Sequence, residues 1–539
     1  MGNIYDFLKP IDFIVVIAYL VVLILIGYLV SFSGKQKEAG HLFLANRSLG
    51  WGSIGFTMWG TNVGPSMLIA SASIGYTSGL VAGNFGWYAF IFIFLLATVF
   101  APRYLKSGVN TLPEYMGKRF GDSTRTILAW YSIATILISW LSLTLFAGGI
   151  LVSQILNWPL WGSVILLMII AGFFTVAGGL KTIAITNIFQ MVLLILVSLA
   201  LTLLALNKVG GLGELMRQTP AHYWNLFRPS SDLTYPWIAI VLGYPVMGVW
   251  FWCTDQSMVQ SVLGAKNLSQ GQIGANFTGW LKILDVALFI IPGIACFALF
   301  PNLTNPDEAY MTMVTALFPS GMIGLVMAVL IAALISTVDS ALNSLSTVFT
   351  MDIYVKKYNK NATTKQIIKV GRWVVVAGAL LAVFMALAID SIKGLNLFDI
   401  FQAILGFIAP PMTVVFLLGV LFKRMTQLAA NVILSVGTFI SMGVGVLYLW
   451  VFPSDVYDFW PHFLLLSFYL FLILSALAIA VSLLGKSKIE RPLEFGGDAK
   501  ASKHGAFKTW STSISISQWM LWLMLFAVMI TLYISFNGH

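Results

Sequence analysis

Stretches of about twenty apolar residues recur along this chain from Phe13 to the C-terminus, and each is long enough to cross a bilayer as a helix. Of the 539 residues, 59% are hydrophobic and only 9% are charged, which leaves too little polar surface for a soluble fold. A membrane β-barrel would instead show short segments of alternating polarity. We therefore predict an all-α polytopic membrane protein with about fourteen transmembrane helices.

The net charge of +10 is distributed over alternate short loops. Basic residues cluster in the loops at 35–47, 103–119, 356–372, 423–424 and 486–508. The loops at 302–308 and 454–458 contain acidic residues and no Lys or Arg. Because Lys and Arg mark cytoplasmic loops, we predict that the basic loops are cytoplasmic and that both termini are extracytoplasmic. This dispersed pattern favours a lipid bilayer over nucleic acid as the partner.

Several classes of function find no support in the sequence. Cys253 and Cys296 lie in apolar segments, where they are expected to be buried packing residues. No phosphate-binding glycine-rich loop is present, so the chain is not expected to hydrolyse ATP. A nucleophile with a neighbouring base and a cluster of metal ligands are also missing, which argues against an enzyme.

Two apolar segments contain helix-breaking residues. They are WGTNVGPSML (59–68) and GYPVMGVWFWCTDQ (243–256). The interrupting residues are Gly60, Gly64 and Pro65 in the first segment and Gly243, Pro245 and Gly248 in the second. A matched pair of broken helices predicts the binding site of an inverted-repeat secondary transporter. The alternative is that these residues serve close helix packing and mild kinks.

A polar stripe runs along the segment IAALISTVDSALNS (331–344). In a helix, Ser336, Asp339, Ser340 and Asn343 share one face, with Thr337 at its edge. An Asp at the centre of a membrane helix costs about 2.5 to 3.5 kcal/mol on insertion scales, so this face is expected to be functional or paired. Hydroxyl and carboxylate oxygens suit a hard cation such as Na⁺. Interhelical hydrogen bonding with a protonated Asp339 is the alternative.

Four stretches closely resemble the sodium/glucose cotransporters of the solute:sodium symporter family. They are WFWCTDQSMVQSVLGAKN (250–267), LKILDVALFIIPGIA (281–295), STVFTMDIY (346–354) and LFDIFQAILGFIAPP (397–411). The resemblance implies a LeuT-like core of two inverted five-helix repeats with broken first and sixth core helices. The sparse Cys and short outer loops resemble bacterial members, so a bacterial inner membrane is implied.

The resemblance also implies a division of the chain. The expected units are an N-terminal helix and basic loop at 1–48, the first repeat at 49–208, the second repeat at 235–424, and C-terminal helices at 425–539 with a basic cytoplasmic linker at 485–510.

By this resemblance, the principal sodium site consists of three backbone carbonyls and two hydroxyls. The residues are Gly60, Val63, Ala333, Ser336 and Thr337. At a second site, the family's Asp in the fifth core helix is replaced here by Asn187, whereas Asp339 stands where sugar-transporting members have Thr or Ala. We therefore predict a second site, for a cation or a proton, formed by Asn187, Asp339 and Ser340.

The implied substrate pocket is partly retained. Asn62, Lys282 and Gln402 match the family's sugar-binding pattern, Trp252 keeps the aromatic platform, and Phe85 and Phe398 are expected to form the outer gate with Phe251 inside. Departures from the pattern occur at Gly86 in place of Glu, Met67 in place of His or Gln, Trp140 in place of Asn, and Phe251 in place of Tyr. These changes remove hydrogen-bond partners for a sugar.

These residues predict sodium-coupled symport of a small polar organic solute, with a sugar as the first choice. A carboxylate, a sialic acid or a cyclic polyol is the alternative solute, and a non-transporting sodium-dependent sensor is the alternative function. Lys282 is expected either to pair with Asp285, one turn along its helix, or to bind an anionic substrate. Asp255 is predicted to be a structural cap or a loop partner.

Overall fold

The computed structural model describes residues 8–32, 39–232, 234–389, 397–454, 456–484 and 514–537. Within these ranges the chain is helical, and its only extended pairings are the isolated bridges Leu49–Ala265 and Arg228–Pro236. The prediction of an all-α protein is confirmed. The basic linker predicted at 485–510 lies outside the described residues.

The first part of the chain forms twelve α-helices. They are α1 (Pro10–Phe32), α2 (Ala39–Leu44), α3 (Trp51–Asn62), α4 (Pro65–Ser78), α5 (Gly83–Trp87), α6 (Ala89–Leu95), α7 (Ala101–Ser107), α8 (Leu112–Phe120), α9 (Asp122–Thr135), α10 (Leu143–Leu156), α11 (Leu160–Val209) and α12 (Leu212–Gln218).

The second part contributes a further twelve to the described chain. They are α13 (Trp237–Val249), α14 (Gln256–Leu263), α15 (Leu268–Asp285), α16 (Ile291–Leu299), α17 (Ala309–Leu317), α18 (Met322–Val348), α19 (Thr364–Ile389), α20 (Leu397–Leu421), α21 (Gln427–Val432), α22 (Thr438–Val446), α23 (Phe463–Leu484) and α24 (Ile516–Ser535). Short π-helical segments such as Val286–Ile290 join several of them into longer spans.

Twelve helical segments of the described chain are long and apolar enough to cross a membrane. Leu160–Phe173 is a shorter apolar helix, and α3 with α4 forms a span that is interrupted in the middle. These lengths confirm a polytopic membrane architecture. The predicted total of fourteen spans stays a prediction.

Helix α11 contains a sharp change of direction at Gly179, whose φ is 61°. A side chain is disfavoured there because φ is positive and because a Cβ would lie 2.6 Å from the carbonyl oxygen of Leu42. The turn separates the short apolar helix from the segment Gly179–Val209, which carries Asn187.

Helix α18 lies at the centre of the molecule. All residues from Val326 to Val348 are buried, and the helix packs against α1, α3, α10, α11 and α19. Its N-terminus is held by Asp12 of α1, whose carboxylate accepts hydrogen bonds from the backbone N–H groups of Gly321 (2.6 Å) and Gly324 (2.7 Å). The polar stripe therefore faces protein on every side, as the cost of exposing it to lipid requires.

The second interruption lies inside the predicted segment 243–256, but it comes after the Gly and Pro residues that were expected to form it. Helix α13 continues through Gly243 and Pro245 to Val249, and a π-helical segment follows over Trp250–Thr254. The backbone leaves helical geometry at Asp255, where φ is −81° and ψ is 130°. The expectation that the Gly and Pro residues form the break was therefore wrong in position.

The physical reason is that the glycines serve packing. A Cβ at Gly243 would collide with the backbone carbonyl of Leu464, and one at Gly248 would collide with the ring of Phe92. The break forms at Asp255 because its carboxylate accepts hydrogen bonds from the N–H groups of the next helix, at 2.8 and 3.2 Å, and so starts α14. This confirms the predicted cap.

Candidate functional site

The first helix break exposes backbone oxygen atoms inside the protein. Helix α3 ends at Asn62 and α4 begins at Pro65, with Val63 and Gly64 in non-helical conformations. The N–H of Gly64 donates to the carbonyl of Asn62 at 3.1 Å. The carbonyl of Gly60, four residues before Gly64, thereby loses the donor that a continuous helix would supply. This interruption was predicted correctly from the sequence.

Helix α18 brings hydroxyl groups to this break. The Thr337 hydroxyl lies 3.3 Å from the carbonyl of Thr61 on α3 and 3.2 Å from that of Ala333 on its own helix. The Ser336 hydroxyl is fully buried and has no hydrogen-bond partner among the described residues. A buried hydroxyl without a partner is an oxygen ligand that suits a hard cation.

The residues of the predicted second site are only partly connected. Asp339 is buried, and its carboxylate accepts a hydrogen bond from the Thr175 hydroxyl at 3.3 Å. Ser340 accepts instead from the Thr61 hydroxyl at 2.9 Å. Neither polar atom of the Asn187 amide has a hydrogen-bond partner within the described chain, although the side chain is fully buried. Two unsatisfied amide atoms at this depth are costly unless a ligand satisfies them.

A cavity of about 300 Å³ lies beside the break. Seven of the predicted substrate or gate residues line it: Asn62, Met67, Phe85, Trp140, Phe251, Trp252 and Gln402. Thr337 also lines the cavity, so a residue of the predicted sodium site forms part of its wall. The volume accommodates a small organic solute.

The cavity floor is aromatic. Phe251 lies between Trp140 and Trp252, with ring centroids 5.1 Å from each. Phe85 packs edge-on against Tyr244, with the ring centroids 5.1 Å apart. Its role as a gate residue stays a prediction. The side chain of Phe398 lies outside the described residues.

The structure adds lining residues that the sequence reasoning missed. Tyr244, Trp250 and Thr144 border the cavity, and Asp307 and Glu308 line it from the loop that joins α16 to α17. This loop was recognised only as acidic, because its approach to the cavity depends on tertiary packing. The cavity therefore extends to the end of the molecule that carries the 302–308 loop, which we call the acidic end.

Two predicted substrate residues do not line the cavity. Lys282 lies behind it, where it forms a buried ion pair with Asp285 and donates to the Asn62 side-chain oxygen at 2.6 Å. The second oxygen of Asp285 accepts from the indole N–H of Trp59 at 2.9 Å. Gly86 packs against the Asp285 carboxylate. The Asp285 carboxylate lies between Lys282 and Gly86, so neither residue is among the described lining residues of the cavity. Their part in substrate binding stays a prediction.

The opposite end of the molecule carries the basic loops at 103–119 and 356–372, and we call it the basic end. Two ion pairs lie at this end. Arg125 of α9 and Asp352, in the π-helical segment after α18, form an ion pair at 2.6 Å, with the Asp352 side chain fully buried. Lys356 and Asp122 form a more exposed pair at 2.9 Å. The first pair ties α9 to the extension of α18.

Comparison with known proteins agrees with this architecture. The model of the family described as "Sodium:solute symporter family" matches residues 42–437. Sodium/glucose cotransporter 4 of Danio rerio is 32% identical over 470 residues, which cover 81% of this chain and 71% of the relative. The sodium/myo-inositol cotransporter of Mus musculus is 31% identical over 467 residues, which cover 78% of this chain and 65% of the relative.

Solved structures show the same fold. A substrate-bound Na⁺-coupled sialic acid symporter matches with a TM-score of 0.76 and 21% identity over 88% of this chain and 98% of its own. A nucleobase-cation-symport-1 family transporter matches with a TM-score of 0.51 and 15% identity over 80% of this chain and 98% of its own. The predicted LeuT-like fold is confirmed. The chain belongs to the sodium:solute symporter family, whose coupling ion is Na⁺.

Proposed function

We propose that the protein imports a small polar organic solute, a sugar, together with Na⁺. The observation that carries this proposal is the position of Thr337, which lines the solute cavity and lies 3.3 Å from the Thr61 carbonyl beside the helix break. Ion and solute thus share a wall. Relatives named for glucose and myo-inositol cotransport support a hydroxylated solute.

The proposed ion ligands are the oxygens that meet at the interface of α3 and α18. They are the carbonyls of Gly60, Val63 and Ala333 and the hydroxyls of Ser336 and Thr337. Na⁺ bound there holds α3 against α18 and so fixes the cavity wall. Separation of these two helices dismantles the site, which couples release of the ion to the change of conformation.

The described conformation faces outward in this proposal. The basic end is assigned to the cytoplasm by the positive-inside rule, which also places both termini outside the cell. The cavity extends to the acidic end, and its described lining includes no residue of the basic loops. We propose that the Arg125–Asp352 pair keeps the basic end closed. Solute therefore enters from the acidic end.

The sodium gradient supplies sufficient energy for accumulation. A tenfold gradient gives about 1.4 kcal/mol per ion, and a membrane potential of about 100 mV adds about 2.3 kcal/mol. One coupled ion therefore supports accumulation of a neutral solute by about several hundredfold.

Uptake into proteoliposomes tests this function. We expect glucose, galactose or myo-inositol to accumulate when Na⁺ is outside, and accumulation to disappear when K⁺ replaces Na⁺. Pyruvate and a sialic acid serve as anionic comparators, and liposomes without protein give the background. Equal uptake of every compound in Na⁺ and in K⁺ would contradict the proposal.

We also propose that Asp339, Asn187 and Ser340 form a second site for a cation or a proton. The proposal is supported by the unsatisfied Asn187 amide and by the buried position of Asp339, with Thr175 beside it. In this arrangement the carboxylate is supplied by α18 rather than by α11.

Asp339→Asn tests the second site, because the substitution removes the charge while it keeps the size of the side chain. We expect the Hill coefficient for Na⁺ to fall from about 2 to about 1 if the second species is Na⁺. If the species is a proton, uptake should instead lose its dependence on external pH. A variant that matches the wild type in both measurements would make Asp339 a structural residue.

A further inference from the structure

A buried polar network links the solute cavity to the helix that carries the broken segment. Lys282 and Asp285 stand one turn apart on α15, and their side chains are only 1% and 5% exposed. The Asp285 carboxylate contacts Lys282 through one oxygen and accepts from Trp59 of α3 through the other. Both carboxylate oxygens of Asp285 are therefore occupied by contacts within the protein.

This network fixes the orientation of the Asn62 amide. The Lys282 ammonium is a donor without acceptor capacity, so the Asn62 atom that lies 2.6 Å from it must be the amide oxygen. Asn62 also lines the cavity. The group that Asn62 has left for a ligand is its NH₂, which requires an oxygen acceptor on the solute.

The absence of a side chain at Gly86 makes room for this arrangement. A Cβ at Gly86 would lie 3.1 Å from a carboxylate oxygen of Asp285 and 3.2 Å from its Cβ. A larger residue on α5 would therefore press on Asp285 and compete with it for the position beside Lys282. Gly86 and Asp285 consequently form a complementary pair across two helices.

Charges along the cavity point to the kind of solute. Its described lining residues include no Lys or Arg, and the charged ones are Asp307 and Glu308 near the acidic end. Lys282 is 5.6 Å from the centre of the Trp252 ring, behind the lining. An anionic solute entering this cavity meets carboxylates and finds no unpaired cation.

We propose that Asp285 determines substrate charge specificity: it neutralises Lys282 behind Asn62, so that the cavity accepts a neutral hydroxylated solute and rejects the corresponding carboxylate. The proposal rests on the proposed function, since it names the class of solute that the same cavity transports. Asp285 acts through Lys282 and Asn62 and is therefore a positioning residue.

Competition between matched sugars tests the proposal. Na⁺-dependent uptake of labelled glucose or galactose is measured with unlabelled glucose, glucuronate, galactose or galacturonate as competitors. The wild type should be inhibited by the neutral sugars and at least tenfold more weakly by their uronates. In Asp285→Asn, the amide oxygen still accepts from Trp59 while the charge of Lys282 is no longer balanced. We expect the uronates to become competitors and the preference for the neutral sugar to fall at least tenfold.

A second pair of substitutions tests the location of the carboxylate. Gly86→Glu alone should impair uptake because it collides with Asp285, and Asp285→Ala alone should lose the preference for neutral sugars. The double variant G86E/D285A supplies a carboxylate from α5 into the vacated space and should restore the preference to within threefold of the wild type. Gly86→Ala is the steric control, since it adds the Cβ without a charge.

The outcomes separate the two proposals. If Na⁺-dependent uptake is intact but the wild type prefers a uronate, or if Asp285→Asn leaves the preference unchanged, the specificity role of Asp285 is overturned and symport stands. If the double variant retains uptake without regaining the preference for neutral sugars, a carboxylate on α5 cannot replace the one on α15. That part of the proposal is then overturned. Absence of Na⁺-dependent uptake for both neutral sugars contradicts the proposed sugar transport and the specificity claim together.

Discussion

In Ser336→Ala, the Na⁺ concentration that gives half-maximal uptake should rise about ten- to a hundredfold. The reason is that the Ser336 hydroxyl is fully buried and unpartnered among the described residues, as expected of an oxygen reserved for an ion. Loss of a hydrogen bond or ligand to a charged group costs about 1.5 to 3 kcal/mol, which corresponds to this range. The measurement is the Na⁺ dependence of initial uptake rates in proteoliposomes.

Ser344→Ala provides a matched control for this result. Ser344 stands on the same helix, is also fully buried, and also has a hydroxyl without a partner among the described residues. It lies about 12 Å further along α18, away from the break in α3. Its replacement should leave the half-maximal Na⁺ concentration within about twofold. Equal effects of the two substitutions would remove Ser336 from the ion site.

Asp352→Asn should open the basic end of the protein. The substitution breaks the ion pair with Arg125. The side chain of Arg125 is 14% exposed and that of Asp352 is 0% exposed. Removing one member of a buried pair costs about 3 to 5 kcal/mol, and here the cost falls on the conformation in which α9 and the extension of α18 are joined. The equilibrium should therefore shift toward the conformation that is open at the basic end.

A cysteine at Ser261 reports this opening. Ser261 is buried on α14, next to Gln260, which donates to the Phe43 carbonyl at 2.7 Å. We expect S261C to react with a thiol reagent at least about tenfold faster when it is combined with Asp352→Asn. The same background without S261C corrects for labelling of the buried Cys253 and Cys296.

Lys356→Gln is the control for a general effect of charge. It removes the pair with Asp122, whose side chains are 35% and 73% exposed. Exposed pairs contribute about 0 to 1 kcal/mol, so labelling of S261C should change little. If both substitutions accelerate labelling equally, the Arg125–Asp352 pair has no special role in closing the basic end.

The first helix break shows what the sequence reveals directly. Gly64 and Pro65 interrupt an otherwise apolar run, and the structure ends α3 at Asn62 just before them. A proline without an N–H group and a flexible glycine are local properties. They therefore predict the end of the helix at this position independently of the rest of the chain.

Other features depend on contacts between distant residues. Pro245 lies inside α13 without ending it, whereas the cap formed by Asp255 starts α14. Likewise, the spacing of Lys282 and Asp285 in the sequence predicted an ion pair, but only the structure shows that Gly86 leaves space for the Asp285 side chain. Such steric relations between helices cannot be derived from the spacing of residues within either one.

The shared position of Thr337 has a consequence for the order of events. Because this residue belongs to the proposed ion site and to the cavity wall, a solute in the cavity covers the ion on the side of the acidic end. We expect Na⁺ to bind first and the solute second. A solute analogue too bulky to be transported should therefore trap the bound ion beneath it. Radioactive Na⁺ should leave the protein slowly while the analogue is present and rapidly after the analogue is washed out.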